Sequence, residues 1–277
     1  MEEVVKKTEE NNPKTKITIW RLFTYFIIYS FLGWIIETAF AFFIMGVLES
    51  RKSFLFGPIC AIYGLGATVM IVVLRFFDKN NLRLFFAGLL VGTTTEYMVS
   101  LIGELWLNMR WWDYSGQFLN INGRISLIYS LVWGILAIVL MRFINPRIDK
   151  FIDWISIKIT PKFFNIIISI IIVLLFVDWL YSAAAQEWVL IKVSIEKDLN
   201  IKDKEKAQRE YDKIYSNGNT KNFVDKYWTV ERMLYAFPNV TKEVEDGRRV
   251  YVRRLYPEIH PYYFRFIPQK EGTIYDP

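Results

Sequence analysis

Charge all but vanishes from five stretches of this chain: Leu22–Gly46, Phe54–Leu74, Leu84–Leu107, Ile125–Met141 and Phe163–Ala185. Each lies near the length of about 20 mostly apolar residues that an α-helix needs to cross ~30 Å of hydrocarbon at ~1.5 Å per residue. The pattern predicts an all-α integral membrane protein, a bundle of about five transmembrane helices. Polar sequence divides the chain into a cytoplasmic leader over 1–21, a transmembrane domain over 22–188 and a polar helical tail over 189–277. Ala39-Phe40-Ala41 imitates a signal-peptide cleavage site. The run is too long for a signal peptide and Glu37 precedes the supposed site, so an uncleaved first helix is expected behind a flexible charged leader over 1–15.

Polar punctuation between the runs sets the connections. Asp78-Lys79-Asn80-Asn81 reads as a tight turn. Over Phe143–Lys162, Ile148, Phe151, Ile152, Ile155 and Ile159 recur at helical spacing among charged residues, bracketed by Pro146 and Pro161. That pattern suits a short helix lying in the membrane interface with Trp154 as anchor, or a plain packed connector. In the tail, alternating charge from Glu196 to Asp212 predicts a solvated helix, broken at Asn217-Gly218-Asn219. Phe223, Tyr227, Val230, Leu234 and Phe237 then predict one further amphipathic helix ending at Pro238. The aromatic, Pro-rich end suits packing on the membrane's outer face or a wandering chain.

Composition sharpens this picture without changing it. The 277 residues are 53% hydrophobic with a mean hydropathy of +0.21, values that a greasy soluble chain could share, so the uneven distribution of charge carries the assignment. A net charge of +6 needs no nucleic-acid partner, because basic and acidic residues interleave in the tail and form no basic stripe. Lys14, Lys16, Arg21, Arg75, Lys79, Arg83, Arg142, Arg147, Lys150, Lys158 and Lys162 fall on one side of the expected bundle. Only Arg51, Lys52, Arg110 and Arg124 fall on the other. This bias predicts a cell-membrane protein with a cytoplasmic N-terminus and, after five spans, a tail outside. Cys60 and His260 are each the sole residue of their kind, which excludes an intramolecular disulfide and a Cys/His zinc site. No nucleotide-binding or metal motif is present and no cofactor is expected, which favours binding or transport over an enzyme.

Four acids interrupt the apolar runs: Glu37, Glu96, Glu104 and Asp178. A carboxylate in hydrocarbon costs about 2.5–3.5 kcal/mol unless it faces protein, water or a partner, so these positions mark the candidate site. Counting along the spans places Glu37, Glu96 and Asp178 within about one helical turn of the same level, in the outer half of the bilayer. Glu104 falls near the outer surface. Arg51 and Arg124, at the outer ends of the second and fourth runs, are placed to close an acid-lined vestibule. The same residues could instead form buried pairs that fix helix packing. Tyr63, with Trp112 and Asp113 of the aromatic loop Trp111-Trp112-Asp113-Tyr114, completes the candidate contacts, although tryptophan and tyrosine also favour that depth as plain anchors.

A series of short motifs adds a specific resemblance. Gly33-Trp34 before Glu37, Gly57-Pro58 leading to Ile62-Tyr63-Gly64, Trp112-Asp113-Tyr114-Ser115, Asn122-Gly123-Arg124 and Trp133-Gly134 follow one another over roughly 22–185. The order resembles the bacterial putative ABC-transporter permease family (type IV), and Glu231-Arg232-Met233-Leu234 through Phe237-Pro238 is similar to the end of that family. The resemblance implies a permease-like component working with a possible separate ATPase subunit on a small solute or lipid. No Glu-Ala-Ala coupling loop of the kind found in many import permeases is present. The other readings are a non-transporting membrane factor that binds a lipid or envelope partner, and a membrane enzyme acting on a lipid headgroup.

Overall fold

The computed structural model of the protein describes residues 17–78, 80–107 and 112–266. The leader expected over 1–15, together with Lys79, Arg110 and Trp111, lies outside the described residues. Four helices have the length and composition to cross a membrane: α1 (Ile19–Met45), α3 (Asn81–Leu107), α4 (Leu127–Lys158) and α5 (Pro161–Glu196). Between α1 and α3 stands a shorter apolar helix, α2 (Ala61–Leu74). The five apolar runs are thus five helices, the second of them truncated. Thr18 and Thr160 cap α1 and α5, accepting bonds from Arg21 N and Phe163 N, as expected for hydroxyl side chains just outside a helix.

The truncation of α2 has a readable geometry. Cys60 N donates to the Ser30 carbonyl at 2.9 Å, and Ser30 lies ~17 Å up α1 from Ile19 at ~1.5 Å per residue. The helix therefore begins deep in the bundle and covers ~21 Å. Non-helical chain leading to Cys60 crosses the rest. Such backbone survives at membrane depth only where protein groups take up its amides.

Pro146, expected to open a separate short helix, lies instead inside the continuous helix α4. Proline lacks an N–H and its ring crowds the carbonyl one turn back. Here a π-helical turn over Leu140–Ile144 widens the helix just ahead of Pro146, and the chain continues to Lys158. Ile152 is buried in the bundle core with Tyr25, Tyr29, Met70, Leu74 and Leu140, which makes this stretch a packed extension of the span. At the same end the Arg21 guanidinium contacts Asp149 at 2.6 Å and Asp153 at 2.8 Å. Tyr29 donates to Asn145 at 3.0 Å, and Arg142 pairs with Asp78 at 2.6 Å.

The 36 residues of α5 reach ~54 Å, well beyond a bilayer. Its last turns form a post for the tail. Ala185, Trp188, Val189 and Val193 share a core with Val224, Met233, Leu234 and Val252, so the tail is a packed unit with its own apolar centre. Its helices are α6 (Lys204–Ser216), α7 (Gly218–Tyr227) and α8 (Val230–Ala236). Two helices replace the one expected over Phe223–Phe237, because Thr229 caps a new start through Arg232 N. Strand β1 (Val47–Leu48), after α1, pairs antiparallel with β4 (Phe264–Arg265). In the tail, β2 (Thr241–Glu243) pairs with β3 (Arg249–Tyr251). The end of the tail is thereby clasped to the α1–α2 loop.

Candidate functional site

Glu37 and Glu96 come from different spanning helices and meet in one line of side chains. The Tyr63 hydroxyl, two residues inside α2, donates to Glu37 Oε1 at 2.7 Å. Trp133 of α4 donates its Nε1 to Glu96 Oε2 at 2.9 Å, and the Tyr114 hydroxyl donates to Glu96 Oε1 at 3.0 Å. The Tyr63 and Trp133 rings stand 6.4 Å apart and join the two halves. Tyr114 in turn stacks on Tyr129 at 4.5 Å. Glu96 is 6% exposed, and Glu37 is partly buried. No lysine or arginine pairs with either carboxylate among the described residues.

Two glycines seat the rings. A Cβ on Gly33 would fall 2.3 Å from Tyr63 Cβ, and one on Gly92 would fall 2.5 Å from Trp133 Cγ. Small residues at these crossings let the helices approach until the aromatic side chains lie between the two acids. The loop that carries Tyr114 is fixed by its own turn chemistry. Asp113 Oδ1 accepts from Ser115 N at 3.0 Å, Tyr114 N donates to the Gly123 carbonyl at 2.8 Å, and Asn122 and Gly123 take φ of 53° and 65°.

Asp178 belongs to a separate cluster. Its Oδ2 accepts from Gly57 N at 2.8 Å, both its oxygens lie 3.3 Å from Phe56 N, and its Oδ1 accepts from the Ser182 hydroxyl at 3.0 Å. Ser182 Oγ also accepts from Leu55 N at 2.8 Å. The carboxylate therefore holds the non-helical chain that completes the second span, which accounts for an acid that is 8% exposed in an apolar helix. Of the three acids expected at one site, the structure brings Glu37 and Glu96 together and sets Asp178 against the loop.

Both expected arginines lie against other acids. Arg124 pairs with Glu104 at 3.0 Å and rests over the Tyr97 ring, and Arg51 pairs with Glu49 at 2.6 Å. Trp112 donates Nε1 to the Arg124 carbonyl at 2.9 Å, which ties the aromatic loop to the start of α4. Sequence reasoning did not single out Tyr114, Trp133 or Ser182 as site residues. The first two stood inside the quoted motifs, where their donor groups were the available signal.

A family model described as putative ABC-transporter type IV matches residues 24–183. No curated protein and no solved structure matches.

Proposed function

The chain belongs to the putative ABC-transporter type IV family, a family of transport-related membrane proteins, and from that premise we propose that its bundle binds and moves a small polar solute at Glu37 and Glu96. One observation carries the reading. Two carboxyl groups within the membrane are held by phenol and indole donors and by no cation among the described residues, so they keep acceptor capacity for a ligand. The solute class this favours carries an amine, a quaternary ammonium or several hydroxyls. The interrupted second span supports the same reading, since transporters commonly form sites where a helix is broken at membrane depth. Asp178 sets the shape of that break, and Arg51, Arg124, Trp112 and Asp113 order the outer loops around it.

The test is a thermal-shift panel of amines, quaternary ammonium ions, polyols and anions on the full chain in mild detergent. A compound that stabilises the wild type should lose its effect in Glu37→Gln and in Glu96→Gln. A stabilising compound that acts equally on both variants, or a panel in which only anions stabilise, would overturn the assignment.

Without a nucleotide-binding motif of its own, the chain would draw ATP-derived energy from a separate subunit. The basic end supplies a surface for it: α4 runs on to Lys158 and exposes Lys150, Trp154 and Ile157. On this reading, which the basic bias of the loops supports, the N-terminus and α4's end are cytoplasmic and the tail lies outside. A thiol-reactive, membrane-impermeant reagent added to intact cells should then label Ser216→Cys and spare Lys150→Cys. The reverse pattern would invert the assignment.

A further inference from the structure

A cavity of about 590 Å³ lies between the tail and the outer end of α5, away from the Glu37–Glu96 line. Its walls are aromatic. Phe56 of the α1–α2 loop packs on Tyr181 of α5 at 5.5 Å, and Phe223 packs on Tyr227 of α7 at 5.2 Å. Two cations also line it, Lys52 and Arg232. Lys52 Nζ donates to the Leu55 carbonyl at 2.6 Å, and Arg232 lies over the Tyr227 ring at 5.9 Å. Neither has a carboxylate within ion-pair distance among the described residues. Burial lowers the Lys52 ammonium from the ordinary lysine range, with the Asp178 charge opposing that shift.

The cavity's position decides what fills it. Tyr181 stands ~30 Å along α5 from Pro161, the depth at which a spanning helix leaves the hydrocarbon. Over the turn and a half that precedes it, Phe176, Val177 and Leu180 are exposed and apolar, a surface for acyl chains. The cavity thus opens at the headgroup level above a lipid-facing helix, and its volume falls in the range of about 300–1,000 Å³ that holds a ligand of moderate size. We propose that this cavity binds an anionic phospholipid, with its phosphate between Lys52 and Arg232 and its glycerol and upper chains against the aromatic walls. Bound there, the lipid would bridge the tail, α5 and the loop that completes the second span.

Native mass spectrometry of the full chain from mild detergent tests this, with phosphatidylglycerol and phosphatidylcholine of identical chains added in turn. Phosphatidylglycerol should be retained about tenfold better than phosphatidylcholine, and Arg232→Gln should remove most of that preference, since one lost charge-assisted contact changes affinity by about that factor. Arg232 is exposed, so this variant should fold. Lys52→Gln should act in the same direction, with folding checked by its melting temperature. Equal retention of the two lipids, an unchanged preference in Arg232→Gln, or the same stabilisation from inorganic phosphate alone would each overturn the proposal. Glu37→Gln should leave the lipid preference intact, which separates this outcome from that of the solute site.

Discussion

Glu96 and Asp178 are both acids in apolar helices, both less than a tenth exposed, yet they occupy opposite kinds of environment. Asp178 accepts from backbone amides of a chain segment that has no helix to satisfy them, and from Ser182, which holds a third amide. Glu96 accepts from side chains alone, and its neighbour Glu37 does likewise. Removing Asp178 would orphan backbone groups that have no other partner at that depth. Removing a charge at Glu37 or Glu96 would orphan a phenol or an indole that can turn or be resolvated. An acid in a membrane helix therefore points to function only after the backbone around it has been accounted for.

The largest expected effect follows from that contrast. Asp178→Ala should destabilise the protein by about 3 kcal/mol or more, because each buried amide left without an acceptor costs about 1–3 kcal/mol. Thermal unfolding in detergent would show it as a large drop or as failure to fold. Wild-type melting would mean that the loop does not depend on Asp178, and the contrast would fail. Gly92→Ala comes next, at about 1–3 kcal/mol, since the new methyl meets Trp133 and the close helix crossing must open. It should also disturb ligand stabilisation by pulling the indole from Glu96. Ser182→Ala should cost about 1–2 kcal/mol through the unpaired Leu55 amide and leave the Glu37–Glu96 line undisturbed.

The spans were legible because hydropathy and length dictate them, and the five apolar runs correspond to five helices. The break in the second run was only half visible. Gly57-Pro58 is a local sign of irregular chain, but the apolar residues around it hid how deep the break reaches. Its depth depends on Asp178, 121 residues away from Gly57, and no local pattern reports such a partner. Pro146 marked the start of a helical stretch but not a separation from the span before it, since a π turn can absorb the lost N–H and the ring together. In the tail, charge alternation identified one exposed helix, which the structure begins at Lys204, but could not reveal that α5 extends to Glu196 and gives the tail a core. For the acids, counting residues along each helix addresses level and leaves the azimuth open, so it could not tell which of the three would share a line of side chains.

Glu37→Gln supplies the smallest stability change and the sharpest contrast with Asp178. Glutamine keeps an oxygen that can accept from the Tyr63 hydroxyl, so the geometry at 2.7 Å can persist. What is lost is the charge-assisted part of one hydrogen bond, about 1 kcal/mol or less for a partly exposed pair. No cation among the described residues is left without its counter-ion, so the penalty of about 3–5 kcal/mol for breaking a buried ion pair does not apply. The variant should therefore melt close to the wild type in the same detergent in which Asp178→Ala fails, while losing stabilisation by the compounds that act on the wild type. If Glu37→Gln unfolds as readily as Asp178→Ala, then Glu37 is a packing acid like its counterpart on α5, and the solute site must be sought elsewhere in the bundle.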